Sequence, residues 1–232
     1  MDALAIGKMI EKRDNKKLPP EKQKKRNPAE LIKLGLKYLP ENEESVKARE
    51  PFPEPGFDAV IIYIADVSGS MTEEHRKVER LVVKNQRAMF KVKYPHLKEV
   101  FIRYSDKAEE VTEKEFFTQT MGGGTATVEA LKLAEKVLER YPRARYNRYV
   151  QIFSDGDDFQ PAESSAHATR ISKNVDFFVY GNIDPQQSGR KGPLSNAMET
   201  LSQSNPDVAG YADVSLDPRS IFQAIKKWFG QP

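Results

Sequence analysis

The sequence predicts an α/β fold in which a doubly wound, mostly parallel sheet is flanked by helices. Three observations lead to this prediction. Apolar runs of strand length recur along the chain, segments with apolar residues at helical spacing separate these runs, and the first run is apolar at every position. A strand that is apolar throughout is typical of a parallel sheet covered by helices on both faces. Helix bundles and β-sandwiches do not show this alternation.

The predicted strands are short. Residues 60–65 form the continuous apolar run, and residues 108–111 are predicted as a short neighbour of the second strand. The full set of predicted strands spans residues 60–65, 100–104, 108–111, 149–153, 175–180 and 211–214.

The predicted helices carry apolar residues three or four positions apart. The first is expected to end before Pro95 and the second before Pro142, because proline cannot continue the hydrogen-bond pattern of a helix. The full set of predicted helices spans residues 73–93, 127–141, 162–174, 193–203 and 218–229.

The chain has 232 residues, which is long enough for one domain with an extension. We expect residues 1–50 to form a basic, partly disordered N-terminal arm with a short helix over residues 28–38, and residues 51–232 to form the domain. Acidic residues dilute the positive charge of the arm, and no aromatic residues accompany its basic clusters. Nucleic-acid binding is therefore disfavoured.

Composition limits both the expected cellular location of the protein and the kinds of metal site that it can form. No stretch approaches the roughly 20 apolar residues that span a bilayer, and the first residues lack the pattern of a secretory signal, so a cytoplasmic location without membrane contact is expected. The chain has no cysteine, and its histidines, His75, His96 and His167, lie far apart in sequence. Any metal must therefore be held by oxygen or by histidine, and a zinc site of the histidine-cluster type is disfavoured.

Three polar loops are the candidate site. They comprise residues 66–71 after the first predicted strand, residues 122–125 before the second predicted helix, and residues 154–158 after the fourth predicted strand. Ligands of open α/β sheets bind outside the carboxyl ends of the strands, so we expect these loops to lie together. Two carboxylates and three hydroxyls, without nitrogen or sulfur, favour a hard cation such as Mg²⁺ or Mn²⁺. The predicted metal site residues are Asp66, Ser68, Ser70, Thr125 and Asp155.

These motifs resemble a known site. Asp-x-Ser-x-Ser after a buried strand, a distant Gly-Gly-Thr, and Ser-Asp-Gly after a later strand are similar to the metal-ion-dependent adhesion site (MIDAS) of von Willebrand factor A (VWA) domains. The resemblance extends over residues 57–229 and implies the same five site residues. It further implies that the hydroxyls bind the metal directly while one or both carboxylates act through water.

A narrower resemblance connects the chain to the YeaH/YhbH family of bacterial and archaeal proteins. It rests on residues 66–71, 113–117, 140–142 and 151–157. This resemblance implies association with PrkA-type serine protein kinases and a role in stress or sporulation physiology.

The predicted function is binding rather than catalysis. A partner protein, with a PrkA-type kinase or an ATPase assembly as candidates, is expected to offer an Asp or Glu to the metal. The alternative is a magnesium-dependent phosphohydrolase with Asp66 as nucleophile, but Ser68 stands where such enzymes need a carboxylate general acid. The glycine triplet lacks the Gly-Lys-Ser/Thr ending of a phosphate-binding loop. Asp157 and Asp158 could extend the acidic pocket or orient waters, but as additional acids on an exposed loop they are predicted to be solvated residues without a role in the site.

Overall fold

The computed structural model describes residues 58–118 and 122–229, together with the single positions Lys8, Glu11 and Glu30. The predicted arm over residues 1–50, apart from those three positions, and its predicted helix over residues 28–38, apart from Glu30, lie outside the described residues. Both stay predictions.

The described residues form one six-stranded sheet with strand order β3-β2-β1-β4-β5-β6. Strand β3 runs antiparallel to β2, and every other neighbouring pair is parallel. This confirms the predicted doubly wound, mostly parallel α/β fold. The strands are β1 (Asp58–Asp66), β2 (Leu97–Tyr104), β3 (Ala108–Val111), β4 (Tyr146–Ser154), β5 (Phe177–Ile183) and β6 (Ala209–Val214).

Six helices connect or follow these strands within the described residues. Five match predicted segments, and the sixth, α2, is one and a half turns long and lies between β3 and the glycine-rich loop. Among the described residues, no helix is both long and apolar enough to cross a membrane. The helices are α1 (Glu73–Lys93), α2 (Glu113–Thr118), α3 (Thr127–Glu139), α4 (Pro161–Ser172), α5 (Pro193–Ser204) and α6 (Pro218–Phe229).

The core consists of two apolar layers, one on each face of the sheet. On one face, Ile61 and Tyr63 of β1 pack in a cluster with side chains of α1 and α6. On the other face, Val60, Ile62 and Ile64 pack in a cluster with side chains of α3, α4 and α5. Since successive side chains of a strand point to opposite faces, both layers take residues from β1, which explains its continuous apolar run.

The terminal helix α6 is seated on the sheet through Trp228. The indole is 1% exposed. A Cβ atom added to Gly210 of β6 would lie 2.7 Å from an indole carbon of Trp228, and one added to Gly181 of β5 would lie 3.4 Å from another. The two glycines therefore leave a hollow in the sheet that the indole fills.

The fold fixes where the three polar loops meet. Strands β1 and β4 are parallel neighbours, so both carboxyl ends lie at the same edge of the sheet. The chain leaves β1 for α1 on one face and leaves β4 for α4 on the other face. Such a change of face between adjacent strands opens a crevice at their carboxyl ends, which is where ligands of this architecture bind.

Candidate functional site

The first loop is organised by Asp66, the last residue of β1, whose side chain is fully buried. Its Oδ1 accepts a hydrogen bond of 2.9 Å from the backbone N–H of Ser68. This tight turn brings the hydroxyls of Ser68 and Ser70 to 3.1 Å from each other. Ser68 is buried whereas Ser70 is exposed, so the pair of hydroxyls reaches from the interior to the surface.

The other oxygen of Asp66 belongs to a buried hydrogen-bond network. Oδ2 accepts hydrogen bonds from the hydroxyls of Ser154 at 2.8 Å and of Tyr104 at 3.3 Å. The Tyr104 hydroxyl in turn accepts one from the Thr127 hydroxyl at 3.2 Å. The network joins the carboxyl ends of β1, β2 and β4 to the start of α3, and it fixes the orientation of the Asp66 carboxylate.

The second loop, residues 122–125, is attached directly to the first. The N–H of Gly69 donates to the carbonyl oxygen of Gly123 at 3.2 Å. The N–H of Gly124 donates to Oδ1 of Asp106 at 3.0 Å, and a Cβ atom at Gly124 would lie 2.6 Å from the same oxygen. Only glycine allows this close approach. The next residue, Thr125, is buried, and its carbonyl oxygen accepts a hydrogen bond from the N–H of Phe159 at 3.0 Å.

The third loop begins at Ser154 and carries the second predicted carboxylate, Asp155. Its Oδ1 accepts a hydrogen bond of 3.2 Å from the N–H of Asp157. Gly156 has φ of 89°, and a Cβ atom there would collide with the hydroxyl of Ser195 and lie 3.0 Å from the N–H nitrogen of Gly192. The loop therefore sits directly against the beginning of α5.

The two predicted carboxylates, Asp66 and Asp155, interact electrostatically. Burial raises the pKa of Asp66 to about 6, hydrogen bonds from Ser68 and Ser154 oppose the rise, and the charge of Asp155 adds to it. Burial lowers the pKa of His75, while the charge of Asp155 acts in the opposite direction. Two carboxylates of the same sign within interaction range favour a bound cation between them.

Asp158 differs from its prediction. Its Oδ1 accepts hydrogen bonds from the N–H groups of Thr127 at 3.3 Å and Gln160 at 3.4 Å. Its Oδ2 is buried and has no hydrogen-bond partner among the described residues. The prediction of a solvated side chain was therefore wrong for Asp158, because its carboxylate turns inward to the N-terminus of α3, where N–H groups lack helical partners. The Asp157 carboxylate is 41% exposed and pairs with Arg190 at 3.2 Å.

The donor set fits a hard octahedral cation. Metal–oxygen distances of about 2.1 Å put adjacent ligands of an octahedron about 3.0 Å apart, and the hydroxyl oxygens of Ser68 and Ser70 are 3.1 Å apart. Within the described part of the chain, no three His, Cys, Asp or Glu side chains cluster as metal ligands. The predicted site differs from such a cluster because it combines two carboxylates with three hydroxyls.

Sequence reasoning did not include Tyr104 and Thr127 in the site and treated Ser154 only as part of a motif. Tyr104 is the residue paired with Asp66 in the β1–β2 register, and Ser154 follows the residue paired with Ala65 in the β1–β4 register. The sequence does indicate that Tyr104 and Ser154 lie at the carboxyl ends of predicted strands. That signal does not identify the partner strand or the register, so it could not select these residues.

Solved structures with a similar fold are VWA domains and related proteins. The SpRpn10 VWA domain is 12% identical, with a TM-score of 0.55 over 74% of this chain and 95% of that chain. Manganese-loaded Plasmodium vivax TRAP protein is 14% identical, with a TM-score of 0.51 over 74% of this chain and 73% of that chain. The mussel byssus protein PTMP1 with a zinc-occupied MIDAS motif is 15% identical, with a TM-score of 0.51 over 73% of this chain and 45% of that chain. The fold is thus VWA-like, as the sequence resemblance implies.

Curated relatives are UPF0229 proteins. The UPF0229 protein of Pseudomonas putida strain GB-1 is 34% identical over 160 residues, which are 67% of this chain and 37% of the relative. The UPF0229 protein of Chromohalobacter salexigens is 27% identical over 220 residues, which are 88% of this chain and 51% of the relative. The chain therefore spans between about a third and a half of the length of these relatives.

A family profile described as "Protein of unknown function (DUF444)" matches residues 5–231. The match runs over nearly the whole chain and includes all three polar loops. The chain therefore belongs to the DUF444 family.

Proposed function

We propose that this chain is a metal-dependent protein-interaction module whose three loops hold Mg²⁺ or Mn²⁺. The hydroxyls of Ser68, Ser70 and Thr125 hold the ion directly, and the carboxylates of Asp66 and Asp155 hold it through water. Once bound, the ion supplies an open coordination position to a Glu or Asp of a partner protein.

The observation that carries this proposal is the 3.1 Å separation of the Ser68 and Ser70 hydroxyl oxygens. The two hydroxyls are hydrogen-bonded at this distance, which is also compatible with the spacing of about 3.0 Å between adjacent oxygen ligands of an octahedral Mg²⁺. The two oxygens of Asp66 are engaged by Ser68 N–H, Ser154 and Tyr104. A carboxylate held in this way is suited to orient a metal-bound water or hydroxyl rather than to enclose the ion, as second-shell groups do.

The structural neighbours add support. TRAP is described as manganese-loaded and PTMP1 as having a zinc-occupied MIDAS motif. Both share the fold of this chain, but at 14% and 15% identity the comparison does not indicate which residues of this chain would bind a metal. The choice of site residues in this proposal is supported instead by the motif order of this chain and by the proximity of the Ser68 and Ser70 hydroxyls.

Binding is favoured over phosphohydrolysis by the same geometry. A hydrolase of the alternative type needs a general acid two residues after its nucleophile, and Ser68 has no such group to offer. The sequence offers two lysines that could balance a phosphoryl group, Lys107 and Lys132. Lys132 pairs with Glu129 at 3.1 Å and Glu163 at 3.3 Å, and Lys107 is exposed. We therefore propose a non-enzymatic function.

The proposed partner is a protein with an accessible carboxylate. The sequence resemblance to the YeaH/YhbH family makes a PrkA-type serine kinase the first candidate, and an ATPase assembly the second. Magnesium-dependent co-purification with such a kinase, lost when its exposed acidic residues are replaced, is the result that this choice of partner requires.

Calorimetric titration of Mg²⁺ and Mn²⁺ into chelator-treated protein tests the proposed site. We expect saturable binding by the wild type, and binding at least about tenfold weaker in Asp66→Asn and Thr125→Val, since each removes a group that holds or orients the ion. Thr200→Val is the matched control, because the Thr200 hydroxyl bonds within α5 to the carbonyl of Asn196. The absence of binding by the wild type, or equal binding by the site variants, would refute the metal site. Magnesium-dependent phosphatase turnover that Asp66→Asn abolishes would favour the hydrolase instead.

A further inference from the structure

The side chain of Phe159 is the most exposed large apolar group in the described part of the chain. It is 70% exposed, and the other large exposed hydrophobic residue there is Val92, at 58%. Phe159 follows the third loop of the site, whereas Val92 lies near the end of α1, at the opposite end of the sheet. A single exposed phenylalanine needs no special explanation. Phe159 differs because its backbone and its ring are both fixed by contacts with the second loop of the site.

Phe159 is fixed beside the site by two contacts. Its N–H donates to the carbonyl oxygen of Thr125 at 3.0 Å, which links it to a predicted metal ligand. Its ring lies over Gly124, and a side chain at that position would collide with the ring. The ring is therefore held against the residue before Thr125 while most of its surface faces solvent. This arrangement pre-orients an apolar surface at the rim of the site.

The charged side chains around this rim are mostly acidic, since Asp106 contacts Gly124 just as the Phe159 ring does. The Arg190 side chain is 74% exposed and bonds to Asp157, two residues before Phe159. The Arg190 guanidinium is thus neutralised by Asp157 and adds no net positive charge to the rim. A partner carboxylate would be attracted by the bound cation, so further affinity at this rim would have to come from the uncharged surface of Phe159.

We propose that Phe159 selects the partner segment: the occupant is an exposed protein segment in which a Glu or Asp is directly next to a large apolar residue. The acid binds at the metal, and the neighbouring apolar side chain packs on the Phe159 ring. This inference rests on the proposed metal-dependent function and adds the sequence requirement of the ligand. Burying one apolar side chain against an aromatic ring makes binding about tenfold tighter.

Defined peptides test this selection. The probes are terminally blocked heptapeptides with a central Glu flanked on both sides by Leu or by Ser, and a Leu-flanked peptide with Gln in place of the Glu. Binding to the full chain in Mg²⁺ is followed by NMR shifts of the Gly122, Gly123 and Gly124 amides, a method that tolerates weak affinity. We expect the Leu-flanked Glu peptide to bind about tenfold tighter than the Ser-flanked one, and the Gln peptide not to bind.

Two variants assign the preference to Phe159. In Phe159→Ser the tenfold difference should shrink to less than about twofold, because only the apolar contact is removed. In the matched control Val92→Ser the difference should stay as in the wild type. Urea unfolding of each variant checks that it is folded.

The outcomes separate the two proposals. If neither Glu peptide binds in Mg²⁺, the proposed function fails and this inference fails with it. If both bind equally, or if Phe159→Ser keeps the difference, the inference alone is overturned. A last experiment tests whether another part of this chain, or a second copy of it, occupies the Phe159 surface. The photo-reactive residue p-benzoylphenylalanine replaces Phe159 in the full chain without a peptide. Photo-cross-links to residues 1–57 or to a second copy would show that this chain itself covers the ring, and either would overturn the proposal.

Discussion

Gly156→Ala should uncouple the third loop of the site from α5. The glycine has φ of 89°, its N–H donates to the Ser154 hydroxyl at 3.1 Å, and its carbonyl accepts from the N–H of Leu194 at 3.3 Å. A methyl group at this position collides with the hydroxyl of Ser195. The loop must then move away from α5, and Asp155 moves with it.

The magnitude follows from two separate costs. An alanine in the left-handed region costs roughly 1–2 kcal/mol, and forcing a methyl group into a packed contact costs roughly another 1–3 kcal/mol. Gly189→Ala is a matched control, because Gly189 has φ of 73° and nothing within 4 Å of its added Cβ. The control should lose only the first cost, so Gly156→Ala should be less stable than Gly189→Ala by about 1–3 kcal/mol.

Urea unfolding measures this difference through the single tryptophan of the chain, Trp228, which is 1% exposed and should change its fluorescence on unfolding. Calorimetry with Mg²⁺ measures the site in the same samples. We expect Gly189→Ala to bind Mg²⁺ like the wild type and Gly156→Ala to bind at least about tenfold more weakly. Equal stability of the two variants, or unchanged Mg²⁺ affinity in Gly156→Ala, would show that the contact with α5 does not hold the third loop.

Two further predictions concern buried groups. Burial raises the pKa of Glu79 from 4.5 to about 8, so the folded state keeps a proton that the unfolded state releases. The free energy of unfolding of the wild type should then fall as pH rises from about 4.5 to 8. In urea titrations Glu79→Gln should flatten this slope, so that its free energy of unfolding rises relative to that of the wild type by up to about 4 kcal/mol between pH 4.5 and 7.5. Parallel pH profiles of the two proteins would contradict this prediction. Tyr104→Phe removes the hydroxyl between Asp66 and Thr127, so calorimetry should give roughly tenfold weaker Mg²⁺ binding. Tyr149→Phe, which loses a buried hydroxyl contact with Tyr94 far from the site, should keep the wild-type affinity.

The fold was predictable because residues 60–65 of the central strand β1 are apolar at every position and because strand-length apolar runs alternate with helical segments along the chain. The predicted ends were less accurate where polar residues continue a strand. Strand β4 begins at Tyr146 and includes Asn147 and Arg148, which are buried despite their polarity. Helix α2 was not predicted, since six residues are too few to display a helical period. It is held by tertiary contacts such as the one between Phe116 and Phe101, whose ring centroids are 5.1 Å apart.

The site was predictable only as far as loops at strand ends can be identified from sequence. The convergence of the three loops follows from parallel strand order, which the alternation of strands and helices already indicates. The supporting hydroxyl of Tyr104 depends on the register between β1 and β2, and the inward turn of Asp158 depends on the position of α3. Neither is encoded in a local pattern, because both arise from packing between segments that are distant in sequence.

The hollow beneath Trp228 has a consequence for motion of the last helix. An axial step of one helical turn is about 5.4 Å, and such a step would lift the indole off Gly181 and Gly210 onto strand positions that carry side chains. The packing of the indole against these two glycines therefore opposes displacement of α6 along its axis. An axial displacement of this helix would remove the indole from this buried setting, so the emission of the sole tryptophan would report it directly.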